Sequence, residues 1–218
     1  MKAFAGVGAD VAFSYRESKG PAEETADELR SLGRRVFMGQ ADARRQGQIA
    51  AFVEAAAGAL GGIDVLVNNI GVFRKVSLED LSEDDLDEAF DVHVKATFMA
   101  SRAAAPHMRR RGSGSIVNIA SLGGLRPWPA YLPYCASKAA LVMATQCLAR
   151  ALAPQIRVNA VAPGLLEEPP PPLALRDRSP LPRFGTAAEV ADAVMFLATN
   201  ASYTTGEVVR VDGGRALV

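Results

Sequence analysis

Tyr134 and Lys138 stand four positions apart in the run Tyr134-Cys135-Ala136-Ser137-Lys138, a spacing that places a phenol and an ammonium one above the other on a helical face. A free tyrosine titrates near pH ~10, so a phenol that exchanges protons at neutral pH needs a neighbouring positive charge to favour its phenolate. Lys138 is placed to supply that charge. Thirteen residues before the tyrosine, Ser121 closes the strand-like run Ser115-Ile116-Val117-Asn118-Ile119-Ala120. A parallel sheet presents ligands at the carboxyl ends of its strands, and a hydroxyl there can bind a carbonyl oxygen. A Tyr-x-x-x-Lys pair alone is common on solvated helices; Ser121, Tyr134 and Lys138 together are far more specific.

These side chains require elements to hold them. The chain has 218 residues, 49% of them hydrophobic, enough for one sizeable core and a single domain spanning 1–218. Apolar β-branched runs alternate with Ala/Leu-rich segments at helical spacing, which predicts an α/β fold with a Rossmann-like doubly wound parallel sheet. Strands are expected at Val11–Ser14, Arg35–Gln40, Val65–Asn68, Ser115–Ala120, Ile156–Ala162 and Glu207–Val211. Helices are expected at Ala22–Leu32, Gln46–Leu60, Glu83–Arg110, Tyr134–Leu152 and Ala187–Ala198. The segment Pro163–Gly185 has no clear period and contains Pro169-Pro170-Pro171-Pro172, which suits neither a helix interior nor a central strand. Its place after a strand's carboxyl end suggests a substrate loop, with a plain surface insertion as the alternative.

Composition excludes several classes. Lys plus Arg and Asp plus Glu balance at 24 each, so no net field favours nucleic acid or an anionic membrane. No apolar run approaches the roughly 18 residues of a membrane span, and the reading is a cytoplasmic protein. Cys135 and Cys147 fall in one predicted helix, where twelve residues of separation put their Cα atoms roughly 18 Å apart, too far to bridge. With two histidines, His93 and His107, and no Cys-x-x-Cys pair, no metal site is expected.

The Ser121/Tyr134/Lys138 arrangement resembles the catalytic signature of the short-chain dehydrogenase/reductases, including its serine-to-tyrosine spacing. The likeness extends through Asn68-Asn69-Ile70-Gly71, Arg157-Val158-Asn159-Ala160-Val161-Ala162-Pro163-Gly164 and Val211-Asp212-Gly213-Gly214. Within the family, the stretch from Tyr131 to Lys138 and that from Ala151 to Asn159 look most like the pteridine-reductase-like branch. The resemblance implies hydride transfer between a nicotinamide cofactor and a small carbonyl, alcohol or pterin-like substrate. Tyr134 would pass the proton, Ser121 orient the oxygen, and Lys138 also bind the nicotinamide ribose. Asn68 and Gly71 would lie against a ribose, Pro163 and Gly164 would approach the ring, and Asp42 matches an adenine-contacting aspartate, with a helix N-cap as its other reading. After the first visible strand comes Ser14-Tyr15-Arg16, where an NAD-preferring fold carries an acidic residue. Arg16 suits a 2′-phosphate instead, so NADP(H) is expected over NAD(H).

The chain also departs from the family pattern. The family begins with a strand, a glycine-rich turn and a helix whose N-terminus holds the pyrophosphate; Met1–Asp10 instead aligns with the end of that helix, so the first βα unit is expected to be missing. Gly6-Val7-Gly8 lacks the third glycine and the preceding strand, and reads as a turn. Without the usual first strand, two edges must re-pair or be filled. His93 occupies the family asparagine position and is either a proton-relay residue or a hydrogen-bonded core histidine on a stripe with Leu86, Phe90, Val94 and Thr97. The threonine usual after Pro163-Gly164 is not found in Leu165-Leu166-Glu167-Glu168. A homodimer or homotetramer through the long helices is expected. Two other functions stay open. One is a catalytically impaired relative acting as an interaction or scaffold protein. The other is a 3-oxoacyl-carrier-protein reductase, for which Arg109-Arg110-Arg111 would dock the carrier unless it only complements a helix dipole.

Overall fold

The computed structural model describes residues 1–167 and 172–218. In chain order these form α1 (Lys2–Gly6), β1 (Val11–Tyr15), α2 (Lys19–Ser31), β2 (Val36–Gln40), α3 (Gln48–Leu60) and β3 (Val65–Asn68). There follow α4 (Glu83–Phe90), α5 (Ala96–Arg110), β4 (Gly114–Ile119), α6 (Leu132–Leu152), β5 (Ile156–Pro163), α7 (Ala187–Met195) and β6 (Val208–Val211). Every strand pair is parallel. Parallel strands need crossover connections, which is why a helix lies between each strand and the next.

Alternate residues of the central strands supply the two faces. Ile116 and Val158 face α3, α5 and α6, with Met108 and Leu152 around them. Val117 and Val161 face the opposite side, toward Val194 and Leu197. β4 and β5 are covered on both faces, so they read as nearly continuous apolar runs. Helix starts follow local chemistry: Ser82 and Asp85 form a capping box on α4, Thr186 and Glu189 one on α7, and Pro133 opens α6.

The strands lie in two sheets, β1-β2 and β3-β4-β5-β6. Of the two expected outcomes, re-pairing of the edges does not occur: among the described residues no strand joins β1 to β3. Helices hold the halves together instead. On one face, α1 inserts Ala5 against Val11 and Leu29 while Phe4 packs with Val65 and Val67. On the other, α3 sets Phe52 against Phe37 of β2, with ring centroids 5.8 Å apart, while Ile49 and Val53 join the core around Ile116.

Three expectations are corrected. The helix predicted over Glu83–Arg110 is interrupted at Asp91–Lys95 by a π-helical turn with His93 at its centre. The extra residue in that turn rotates the helix beyond it, so the predicted stripe splits: His93 and Thr97 are buried while Leu86 and Phe90 are exposed. The helix predicted to Ala198 likewise ends in a π turn over Phe196–Asn200. The Pro163–Gly185 loop carries a 3-10 helix at Leu173–Arg178 and a Leu166–Gly185 bridge, while residues 168–171, which hold most of the proline run, lie outside the described residues. Arg215 anchors this segment by donating to the Leu175 carbonyl at 3.0 Å. No described helix is long and apolar enough to cross a membrane.

Candidate active site

The sequence-predicted residues Ser121, Tyr134, Lys138, His93, Asn68, Gly71, Pro163 and Gly164 lie around the carboxyl ends of β3, β4 and β5 and the first turns of α6, whereas Ser14, Arg16 and Asp42 lie with the β1-β2 sheet. Ser121 lies two residues past the end of β4 and is buried, its Oγ accepting a hydrogen bond from the Gly123 amide at 3.0 Å. Lys138 is only 5% exposed; its Nζ donates to the Ile119 carbonyl at 2.7 Å and lies 5.9 Å from the Tyr134 ring centroid. The β4 carbonyl thus fixes the lysine head beside the phenol, as the four-residue spacing implied.

The electrostatics differ from the sequence expectation in one respect. Burial pushes the Tyr134 phenol above its usual range, with the Ser121 hydroxyl pulling the other way. The phenol therefore lies above its ordinary value, where the spacing to Lys138 had implied a lowered one. Burial also lowers Lys138 to about 8, because an ammonium with little solvent is disfavoured.

His93 is 1% exposed and ties three segments together. The Val72 amide donates to its Nε2 at 3.0 Å, and its Nδ1 lies 2.8 Å from Ser137 Oγ, which itself donates to the Tyr134 carbonyl at 2.9 Å. With Nε2 accepting, the neutral ring carries its proton on Nδ1 and donates it to Ser137. Burial and the nearby Lys138 charge hold His93 down to about 3. This arrangement favours the hydrogen-bonded core reading of His93 over the relay reading. Its ring lies 5.6 Å from the Tyr134 ring at 83°, while its hydrogen bonds hold the Val72 backbone and Ser137.

Asn68, at the end of β3, is buried and donates to Asn118 Oδ1 at 2.9 Å; Asn118 donates to Thr145 Oγ1 at 2.9 Å. This ladder ties two strands to α6. Gly71 lies close to both His93 and Lys138: a Cβ there would come within 3.4 Å of His93 Nε2 and 4.0 Å of Lys138 Nζ. Gly164 has a firmer requirement, since a Cβ would stand 2.8 Å from the Asp212 Cα. Pro163 ends β5 just before it, so the two C-terminal motifs meet there. Asp212 closes its own turn by accepting from the Gly214 and Ala216 amides at 3.0 and 2.8 Å.

In the separate β1-β2 sheet, Ser14 lies in β1 opposite Gly39, and Arg16 follows the strand, paired with Glu17 at 3.1 Å. Asp42 is not a helix N-cap, because Gly47 holds that position on α3. It clamps Arg44 instead at 2.7 Å, which lowers its carboxyl to about 2. Arg44 was not singled out from the sequence. Neither were Phe73 and Trp128, whose rings flank Tyr134, nor Tyr131, which packs against both of them. They come from two loops with no periodicity, and no spacing rule could have joined them.

Comparisons with known proteins match this geometry. A family model described as enoyl-(acyl carrier protein) reductase matches residues 1–216. A 3-oxoacyl-[acyl-carrier-protein] reductase FabG from Staphylococcus aureus is 36% identical over 217 residues, covering 95% of this chain and 88% of that protein. The FabG of Thermotoga maritima is 42% identical over 176 residues, covering 77% of this chain and 72% of its own. Among solved structures, an acetoin dehydrogenase from Enterobacter cloacae superposes with a TM-score of 0.91 at 34% identity, covering 99% of this chain and 88% of that one. A doubly substituted Serratia marcescens short-chain dehydrogenase/reductase gives a TM-score of 0.93 at 35% identity, covering 99% of this chain and 91% of that one. With the Ser121, Tyr134 and Lys138 constellation at the ends of a parallel sheet, these matches establish that the chain belongs to the short-chain dehydrogenase/reductase family of oxidoreductases.

Proposed function

We propose that this chain reduces a small carbonyl or pterin-like substrate with NADP(H), using Tyr134 as proton donor. The observation that carries the reading is the buried Lys138 head, fixed by the Ile119 carbonyl beside a phenol kept protonated by its surroundings. Ser121 donates a hydrogen bond to the substrate oxygen and Tyr134 gives that oxygen its proton. The Lys138 ammonium then stabilises the phenolate left behind. The nicotinamide, when bound, supplies the hydride.

The donor set fits such a cofactor at two ends. Lys138 Nζ has three N–H groups, one of them used on Ile119, and Gly71 lets backbone pass close to it. Asn68, Pro163 and Gly164 border the same end. Ser14, Arg16 and Asp42 lie at the adenosine end, where the half-exposed Arg16 side chain suits a 2′-phosphate and favours NADP(H) over NAD(H). The described parts of the 163–185 segment, 163–167 and 172–185, would border the substrate.

An open apolar groove of about 580 Å³ lies on the outer face of α5 and α6, lined by Phe90, Val94, Phe98, Met99, Leu148 and Leu152. Apolar surface of this kind suits a homodimer or homotetramer built through these helices. Reduction of a 3-oxoacyl group on a carrier protein is the second reading, favoured by what the relatives are called. The arginine triplet adds little to it, since Arg110 contacts His107 at 2.7 Å and Arg111 pairs with Asp64 at 3.1 Å. A scaffold role rests on the expected lack of the glycine-rich phosphate cradle alone.

The test is NADPH oxidation with a panel of small ketones by the parent chain and by Tyr134→Phe. Loss of at least about 100-fold in kcat/KM is expected. Activity within about threefold of the parent would remove Tyr134 from the reaction.

A further inference from the structure

The rings around Tyr134 form a built surface. Phe73 stacks on Tyr131 with centroids 4.6 Å apart and planes at 10°, and meets Tyr134 edge-on at 4.7 Å. Trp128 lies nearly parallel to Tyr134, 6.2 Å away, and edge-on to Tyr131 at 6.1 Å. Two backbone features hold this arrangement. The Val76 amide donates to the Ala130 carbonyl at 2.9 Å, tying the Phe73 segment to the Trp128 segment. Gly123 leaves the room that Trp128 uses, since a Cβ there would stand 3.0 Å from the indole and 3.1 Å from the Tyr134 ring.

Phe73 nonetheless remains 61% exposed. An exposed phenyl ring stacked beside the proton donor has an apolar face still open to a ligand. Rings flank Tyr134 from two different segments, so a carbonyl that reaches its hydroxyl brings its substituent against them.

We infer that Phe73 and Trp128 form a specificity subsite that selects carbonyl compounds carrying an uncharged aryl ring over saturated ones of the same size. The inference rests on the reductase reading above and narrows its substrate class. Aromatic pairs prefer offset or edge-to-face contact and gain free energy beyond the area they bury. A cyclohexyl group fills the same space without that gain. The gain corresponds to roughly threefold to tenfold in affinity for each ring met.

Trp128 is the chain's single tryptophan, so its fluorescence reads the subsite without turnover. The parent chain, Phe73→Leu and Trp128→Leu are assayed with acetophenone and with cyclohexyl methyl ketone. The corresponding alcohols are titrated against Trp128 emission in the parent and in Phe73→Leu. The expected result is a kcat/KM ratio of aryl to saturated ketone that falls about threefold to tenfold in each variant through the KM of the aryl substrate. Saturable quenching by 1-phenylethanol should also weaken in Phe73→Leu, and in the parent 1-cyclohexylethanol should require at least about threefold higher concentration for the same quenching. An unchanged ratio in both variants, or equal quenching by both alcohols, overturns the subsite even if the ketones are reduced. Selective quenching without reduction of any ketone upholds the subsite and overturns the reductase reading.

Discussion

His93→Gln should remove a large part of the acid sensitivity of this fold. In the native state the imidazole is buried, accepts the Val72 amide on Nε2 and lies beside the Lys138 ammonium, and its pKa falls from 6.5 to about 3. In the unfolded chain it titrates at its ordinary value. Between these two values the unfolded state binds a proton that the folded state refuses, so stability is present above the unfolded pKa and drains away as pH falls. Each unit is about 1.4 kcal/mol, so the contribution lost between pH 7 and pH 5 is about 2 kcal/mol. Urea unfolding followed by circular dichroism at those two pH values measures it in the parent and the variant. The carboxylates with lowered values, such as Asp42 and Glu189, are present in both chains and cancel in the difference. The glutamine variant loses the histidine's hydrogen bonding and is less stable at pH 7, but the decisive quantity is its change with pH. If parent and variant lose stability equally, within about 0.5 kcal/mol, His93 is not the buried neutral group described here.

Other outcomes depend on the same site and its flanking surface. Reductase kcat/KM should fall as pH rises through about 8, because Lys138 then loses the charge that stabilises the Tyr134 phenolate; a profile flat across that range would deny the lysine its role. Arg16→Ala should reduce the NADPH-to-NADH preference in kcat/KM by about tenfold, the loss of one charged hydrogen bond, and an unchanged preference would place phosphate recognition elsewhere. Light scattering should give a multiple of the 23.0 kDa chain mass, and the Phe98→Asp change in the α5 groove should shift it toward the monomer; a parent chain that is itself monomeric would contradict assembly through this face.

The sequence by itself determined the local elements and the polar centre. Periodicity placed every named strand to within about two residues, because residues in a parallel sheet are apolar on both faces and the signal is dense. The four-residue spacing of Tyr134 and Lys138 needed only a helix to bring them together, and the Ser121 position needed only a strand to end where it does. Tertiary structure decided what depends on neighbours distant in the chain. The π turn at His93 is invisible to a pattern of apolar positions, since it adds one residue without changing composition. Whether Tyr134 is raised or lowered depended on burial supplied by several segments, which outweighed the Ser121 hydroxyl. Asp42 was read as a contact or a cap because its partner Arg44 is a local choice among several. The aromatic wall of Phe73, Trp128 and Tyr131 arose where two loops are joined by a parallel bridge between Val76 and Tyr131, with the Val76 amide donating to the Ala130 carbonyl 54 positions on, and sequence spacing carries no record of such a contact.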